Sequence, residues 1–430
     1  MDRRALLAAT GALATATIAG CLGDSELFIG TGDDDLPNPG VLPAAEPDVT
    51  DEFLAELAAG NAAFSSDLYR YLVTGREDNL FFSPHSISTA LAMTYAGAAG
   101  HTADEMESTL HYTLADEVHE AFAALSHELA TREATEDEVD AFVLRVANAL
   151  WGREGYGFSE AYLDTLQEYY GAGLIEADFT GDPSGERQRI NEWVADATEG
   201  KIEEVLPENA IGSNTVFVIT NAIYFLASWL SEFDPGDTSD EAFTAMDGST
   251  SDVQMMHQHL ETPYASVGQV DVLELPYVGG DVSMVLMLPA SGRFEEFEAQ
   301  LTGEAILGMF HELERAEGFL ALPQFEIEST VSLSAVLTDL GMPSAFESAD
   351  FSNMVENGGG IWIDEIYHDA VVTVDEQGTE AAAATAVVGV DSVPPSWGEL
   401  RFDRPFVFCI RDRPTDTILF LGRVADAAQE

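Results

Sequence analysis

Residues 79–102 read NLFFSPHSISTALAMTYAGAAGHT. Ser83-Pro84 carries the chemistry of a helix start: a hydroxyl that can cap free N–H groups, then a proline whose missing N–H has no partner in a first turn anyway. Behind it, apolar and small residues keep helical spacing as far as Ala96. The same periodicity recurs over residues 53–72, 158–170 and 190–196, so the amino-terminal half is expected to be rich in helix. Strand patterns take over at residues 215–225, 271–275, 282–288, 318–325, 362–374, 400–410 and 417–424. The expected class is α+β with large sheets. No repeat, membrane-spanning run or second linker interrupts residues 51–430, which are expected to form one large unit.

Of 430 residues, 46% are hydrophobic and 10% aromatic, ample for a core. Set against this are 77 Asp and Glu and only 17 Lys and Arg, a formal charge of -60, with Lys201 the one lysine. So strong a negative field argues against nucleic acid as a partner. The carboxylates are spread through hydrophobic, aromatic-containing sequence rather than gathered in a tail, and read as a solvated surface, not as disorder. Self-repulsion on this scale weakens a compact state in dilute salt, whereas at about 1 M salt the screening length is roughly 3 Å. A halophilic source is therefore expected.

Residues 1–20 read as an export signal: Arg3-Arg4, then an Ala-rich apolar stretch to Gly20. The arginine pair resembles a twin-arginine signal, and Ile18-Ala19-Gly20-Cys21 resembles a lipobox, which implies cleavage before Cys21 and lipidation of its thiol. An uncleaved membrane anchor is the alternative, but the stretch falls short of about 20 strongly apolar residues. Residues 21–50, acidic and rich in Gly and Pro, have the composition of a flexible tether. The protein is thus expected outside the cell or on the outer face of its membrane, with a lipid anchor as its one membrane contact. The other cysteine, Cys409, lies in an apolar run and reads as a small buried hydrophobe, so no disulfide framework is expected.

No G-x-S-x-G elbow, P-loop, H-E-x-x-H helix or paired Cys-x-x-Cys is present. His257 and His259 alternate as on a strand, without a third ligand nearby, and read as solvent-facing residues rather than a metal site. No cofactor, no metal and no catalytic activity of its own are expected.

Further stretches extend the pattern of residues 79–102: INEWVADATEGKI (190–202), TNAIYF (220–225) with Trp229, Met255-Met256, LTDLGMPSAF (337–346), ADFS (349–352), YHDAVVTVDEQGTEAAAAT (367–385) and LRFDRPFVFCI (400–410). In order and spacing this series closely resembles the serpins, inhibitors of serine proteases, over residues 53–424. The resemblance implies the serpin fold, with a helix-rich amino-terminal part, large mostly antiparallel sheets and an exposed reactive-centre loop at about residues 376–399. It further implies that Ser83, Ser86, Asn221 and His368 form a polar "shutter" beneath the central sheet, and that Trp229 marks the "breach" where that sheet opens.

Within the loop, Glu376, Gly378, Thr379, Glu380, Ala381, Ala382, Ala383, Ala384 and Thr385 match the hinge of inhibitory serpins. Taken locally, Thr379 capping an Ala-rich helix is a competing reading. As a strand, the segment would turn the small residues Thr379, Ala381, Ala383, Thr385 and Val387 to one face and its single charge, Glu380, to the other. By resemblance, the chain is a suicide substrate: a protease cuts the loop, forms its acyl-enzyme, and the freed hinge inserts into the sheet before water completes hydrolysis. Family counting places the cut at Ser392-Val393, to within a residue or two, and about three extra residues between Pro395 and Phe402 blur the distal register. No Lys or Arg lies between Glu376 and Leu400, which favours a subtilisin-like or elastase-like target over a trypsin-like one, held one-to-one by a monomeric inhibitor. The alternative is a non-inhibitory serpin-like binding or chaperone protein whose loop is merely cut.

Overall fold

A computed structural model describes residues 29–30, 42–132, 134–136, 139–172, 174–356, 360–379 and 395–429. The export signal, Cys21, hinge residues 380–385 and the Ser392-Val393 bond lie outside the described residues.

In chain order the first half runs β1 (Ile29–Gly30), α1 (Asp51–Val73), β2 (Leu80–Phe82), α2 (Pro84–Tyr95), α3 (Gly100–Leu110), α4 (Val118–Ala130), β3 (Ala134–Glu136), β4 (Val139–Arg153), α5 (Glu160–Tyr170), β5 (Leu174–Ala177), α6 (Pro183–Ala197) and β6 (Phe217–Ser228). Then come β7 (Ser239–Thr244), β8 (Thr250–Val267), β9 (Val270–Pro276), β10 (Val282–Pro289), α7 (Phe294–Gln300), α8 (Gly303–His311), β11 (Glu314–Pro323) and β12 (Phe325–Ser332). The chain ends with α9 (Ser334–Leu340), α10 (Ser344–Glu347), β13 (Ile366–Val374), β14 (Gly378–Thr379), β15 (Ser396–Arg401), β16 (Phe406–Asp412) and β17 (Thr417–Val424).

The expected α+β class is what the chain adopts. One sheet has the order β1-β5-β4-β6-β14-β13-β12, with β3 beside β4. The other has the order β15-β11-β8-β9-β10-β16-β17-β2, with β7 beside β8. Antiparallel pairs dominate, and the parallel ones are β1–β5, β4–β5, β6–β13 and β11–β15. The main core lies between these sheets and the helices; Phe64, Phe82, Leu91, Phe408 and Leu421 are at most 1% exposed in it. A smaller core, with Trp151, Phe179, Ile190 and Trp193, packs α6 over β4, β5 and β6.

Local chemistry sets the helix starts. Ser83 caps α2 by accepting from the Ser86 N–H, with Pro84 in the first turn, as its sequence predicts. Helix α6 begins seven residues earlier than its periodicity suggests, because Asp182 caps it ahead of Pro183 and its polar first turns carry no apolar stripe. Helices α3 and α4 and strands β4 and β8 escape the periodic reading. The burial of β8 follows a loose alternation with long polar stretches. The expected strand over residues 400–410 is two strands in different parts of the sheet. Pro405, which has no N–H for a ladder, lies in the bend between them. Residues 318–325 likewise divide after Pro323.

Parts of the stretch expected to be a tether touch the body. The Ala45 N–H bonds the Glu168 carbonyl, and the His127 ring lies 3.0 Å from the Ala45 carbonyl. Ile29 and Gly30 pair in parallel with Leu174 and Ile175. Cys409, in β16, is fully buried, and burial pushes its thiol up to about 12. Among the described residues no helix is long and apolar enough to cross a membrane.

Candidate functional site

Strands β6 and β13 make a fork. At its base they pair in parallel, from Ile366 with Ile219 to Asp369 with Ala222. At its mouth β14 stands between them: Gly378 and Thr379 pair with Ser228 and Ala227, and Thr379 also pairs with Val374. Between mouth and base, Ala370–Thr373 of β13 and Ile223–Leu226 of β6 pair neither with each other nor with β14.

The mouth is built around Trp229. Its indole stacks on Tyr277, with centroids 4.7 Å apart and planes 7° from parallel. Its Nε1–H donates to the Asp375 carbonyl at 3.0 Å, and its backbone N–H donates to the Gln377 carbonyl at 2.8 Å. One residue away, Glu376 accepts from Thr238 Oγ1 (2.6 Å) and Gln324 Nε2 (2.8 Å). The Gln377 and Gly378 N–H groups both reach Asp375 Oδ1, closing a tight turn. Gly378 is required by space: a Cβ there would lie 2.1 Å from the Ala227 carbonyl oxygen and 2.7 Å from the Ser228 Cα, backbone atoms that cannot give way. Thr379 is 1% exposed, and its hydroxyl is 2.9 Å from that of Tyr277. Thr379 therefore occupies a strand, not a helix cap, and its side chain turns to the buried face.

The base is polar and closed. The Ser83 N–H donates to His368 Nε2 (3.0 Å), so His368 Nδ1 carries the proton and donates to Asn221 Oδ1 at 2.7 Å. Asn221 Nδ2 in turn donates to Ser86 Oγ (2.7 Å) and Asn148 Oδ1 (2.6 Å), while Ser83 Oγ donates to the Leu419 carbonyl. The four residues named from sequence are thus brought together. Asn148, Tyr277, Thr238 and Gln324 complete the arrangement; no local motif marks them, because each acts only across a strand pairing or a turn.

Beside His368 but on the opposite face of β13, Asp369 is 6% exposed, and Thr330, across the strand pair, is the one hydroxyl near its carboxylate among the described residues. Burial, aided by nearby Glu328, pushes its pKa up to about 6. Burial also pushes His368 down to about 3 and His85 down to about 4. The consequences for stability have opposite signs. A histidine held neutral costs stability as pH falls from about 6.5 toward its folded value, by about 1.4 kcal/mol per unit. A carboxyl with a raised pKa returns a similar amount as pH falls from about 6 to about 4. Two histidines against one carboxyl leave a net loss of stability from these three groups as pH falls through that window. Denaturation at fixed molar KCl across this range is expected to show stability falling with pH, more steeply in Asp369→Asn. A wild-type profile flat from pH 6 to pH 4 would contradict the assignment.

Outside the fork, His257 is bonded to Glu241 (2.8 Å) and His259 packs edge-on against Phe319 (4.7 Å). Among the described residues no cluster of three or more His, Cys, Asp or Glu is placed to hold a metal.

Comparison with known proteins meets this geometry from another side. The sequence model for "Serpin (serine protease inhibitor)" matches residues 59–427. A serpin-like protein of Thermococcus kodakarensis is 40% identical over 417 residues, 95% of each chain. Leukocyte elastase inhibitor A of Mus musculus is 37% identical over 383 residues, 86% of this chain and 99% of that one. Among solved structures, thyroxine-binding globulin in complex with thyroxine superposes with a TM-score of 0.74 at 30% identity, covering 86% of this chain and 99% of its own.

Proposed function

This chain belongs to the serpin family, and from that premise we propose that it is a suicide inhibitor of serine proteases, trapping one protease per molecule. The observation that carries the reading is β14: the first two strand residues of the hinge lie between β6 and β13, antiparallel to both, at the mouth of a gap that no described strand bridges. Continued in register, Ala383 meets Ala370 and Ile223 at the gap's end. Thr385 then arrives between His368 and Asn221, whose hydrogen bond has to open to admit it. The side chains that would enter the buried face, Ala381, Ala383 and Thr385, are small. From Thr379 to Ser392, full insertion would displace an attached protease by about 45 Å.

Insertion has to outrun hydrolysis of the acyl-enzyme, so the trap is kinetic. Challenge with subtilisin in molar KCl is expected to give a complex that survives SDS. Loop cleavage without that complex would favour the binding-protein reading, to which the fold similarity with thyroxine-binding globulin lends its support. Mass spectrometry is expected to place the cut at Ser392-Val393 or within two residues of it; a first cut at Arg401 would reverse the preference against trypsin-like targets. The same reading places the protein outside the cell, exported by residues 1–20 and anchored through a lipid on Cys21. Metabolic labelling with palmitate, lost in Cys21→Ala, tests the anchor.

A further inference from the structure

The register of β14 fixes where the far part of an inserted loop ends. Thr379 pairs antiparallel with Val374 and with Ala227, so each further loop residue moves one residue down β13 and β6. Val387 then meets Ile366, the first residue of β13, and Gly389 meets Phe217, the first of β6. Ser392 comes out beyond both strands, about 10 Å past the start of β6. On the β13 side the same count sets Asp391 beside Trp362 and Ser392 beside Ile361. These residues belong to a run that alternates in and out: Ile361 is 2% exposed, Trp362 46% and Ile363 1%, with Asp364 exposed again. The run is held in place. The Ile363 N–H donates to the Ala345 carbonyl at 2.9 Å, and the Glu365 carboxylate accepts from the Ser334 N–H (2.9 Å) and hydroxyl (2.7 Å) at the start of α9. Between two buried isoleucines, the Trp362 indole is presented to solvent from a fixed backbone, not from a frayed end.

A tryptophan on a rigid support is the kind of side chain that dominates a protein interface, because it can bury on the order of 200 Å² and loses little freedom in doing so. In molar KCl, screening over about 3 Å leaves ion pairs across such a contact little strength, while apolar burial keeps its own. The partner that insertion delivers to this place is the protease, tied to Ser392 by its acyl bond. Its active-site face is the face so tied, and that face bears on the ring. We propose that Trp362 is the platform on which the trapped protease comes to rest, and that this contact slows its release. Release is hydrolysis: water adds to the Ser392 carbonyl carbon, the bond to the protease's serine oxygen breaks, and that oxygen leaves with a proton. The products are free protease and a chain ending in the Ser392 carboxyl group. An indole wedged against the reacting face keeps the protease's own groups from the arrangement that this step needs. The proposal rests on the insertion reading above.

The test forms the covalent complex with subtilisin in molar KCl, removes free protease, and follows two signals: the return of protease activity and the loss of the SDS-resistant species. Trp362→Ala is expected to form as much complex as wild type but to release active protease at least about tenfold faster, with Trp362→Phe between. Phe319→Ala is the matched control. It removes a still more exposed ring (60%) from β11, beside the strand that follows the loop, and is expected to change release less than about twofold. Equal release from Trp362→Ala and wild type would overturn the platform. Should Trp362→Ala not fold, oxidation of Trp362 by hydroxyl radicals in the wild type decides. Oxidation at least about fivefold slower in the complex than in the loop-cleaved chain supports the platform, and equal rates refute it. A wild type that is cut without ever forming a covalent complex would refute the inhibitory reading and the platform with it, whereas a complex released equally fast by all four proteins refutes the platform alone.

Discussion

Replacing Thr379 with arginine is expected to turn the trap into a substrate, with loop cleavage continuing and the SDS-resistant complex falling by at least about a hundredfold. The Thr379 side chain is 1% exposed and hydrogen-bonded to Tyr277, which is itself stacked on Trp229. A guanidinium there finds no carboxylate among those partners, and burying an unpaired charge costs several kcal/mol. Each 1.4 kcal/mol added to the insertion barrier slows it about tenfold, while hydrolysis of the acyl-enzyme keeps its rate. Glu380→Arg is the matched control: the next side chain along an inserted strand faces the other way, and its trapping is expected to change less than about threefold. Undiminished complex formation by Thr379→Arg would remove the basis for insertion along β6 and β13.

The second large effect is that of salt. With 77 carboxylates and 17 Lys and Arg, carboxylates outnumber basic side chains by 60. The cations are spent on specific contacts: Arg423 lies with Glu298, Arg411 with Glu274 and Asp416, and Arg132 with Asp412. Screening shortens from about 30 Å at 0.01 M salt to about 3 Å at 1 M, which removes repulsion between neighbouring surface carboxylates but little of the attraction within buried pairs. Melting temperature is therefore expected to climb by roughly 10 °C or more from millimolar to molar KCl. An unchanged value over that range would refute the inferred adaptation to salt.

Much of this site was legible before any coordinates. Ser83-Pro84 announces its helix because a cap and a first-turn proline act on their own neighbours. His368, Asn221, Ser83 and Ser86 are legible through family resemblance, not through their own surroundings in sequence. Asn148 was not legible: it belongs to the network because β4 pairs residue by residue with β6, setting it opposite Asn221 across 73 positions of chain. Gly378 was legible as a pivot, whereas its close approach to Ala227 depends on a neighbouring strand.

The extra residues near Trp397 were visible only as a count that blurred the loop's register. Pairing with β11 turns that count into a bulge and a seated indole. By itself, then, the sequence determined the α+β class, the order of motifs, the small side chains of the hinge and the surplus of negative charge, because these depend on composition and on contacts within a few residues. Tertiary structure alone decided that Gly378 and Thr379 stand between β6 and β13, which hydrogen bonds close the fork below them, and which strand the chain joins beyond the loop. Those depend on partners distant in the chain, 73 positions for Asn148 and Asn221 and 285 for Ser83 and His368, and no local rule sets which strands meet.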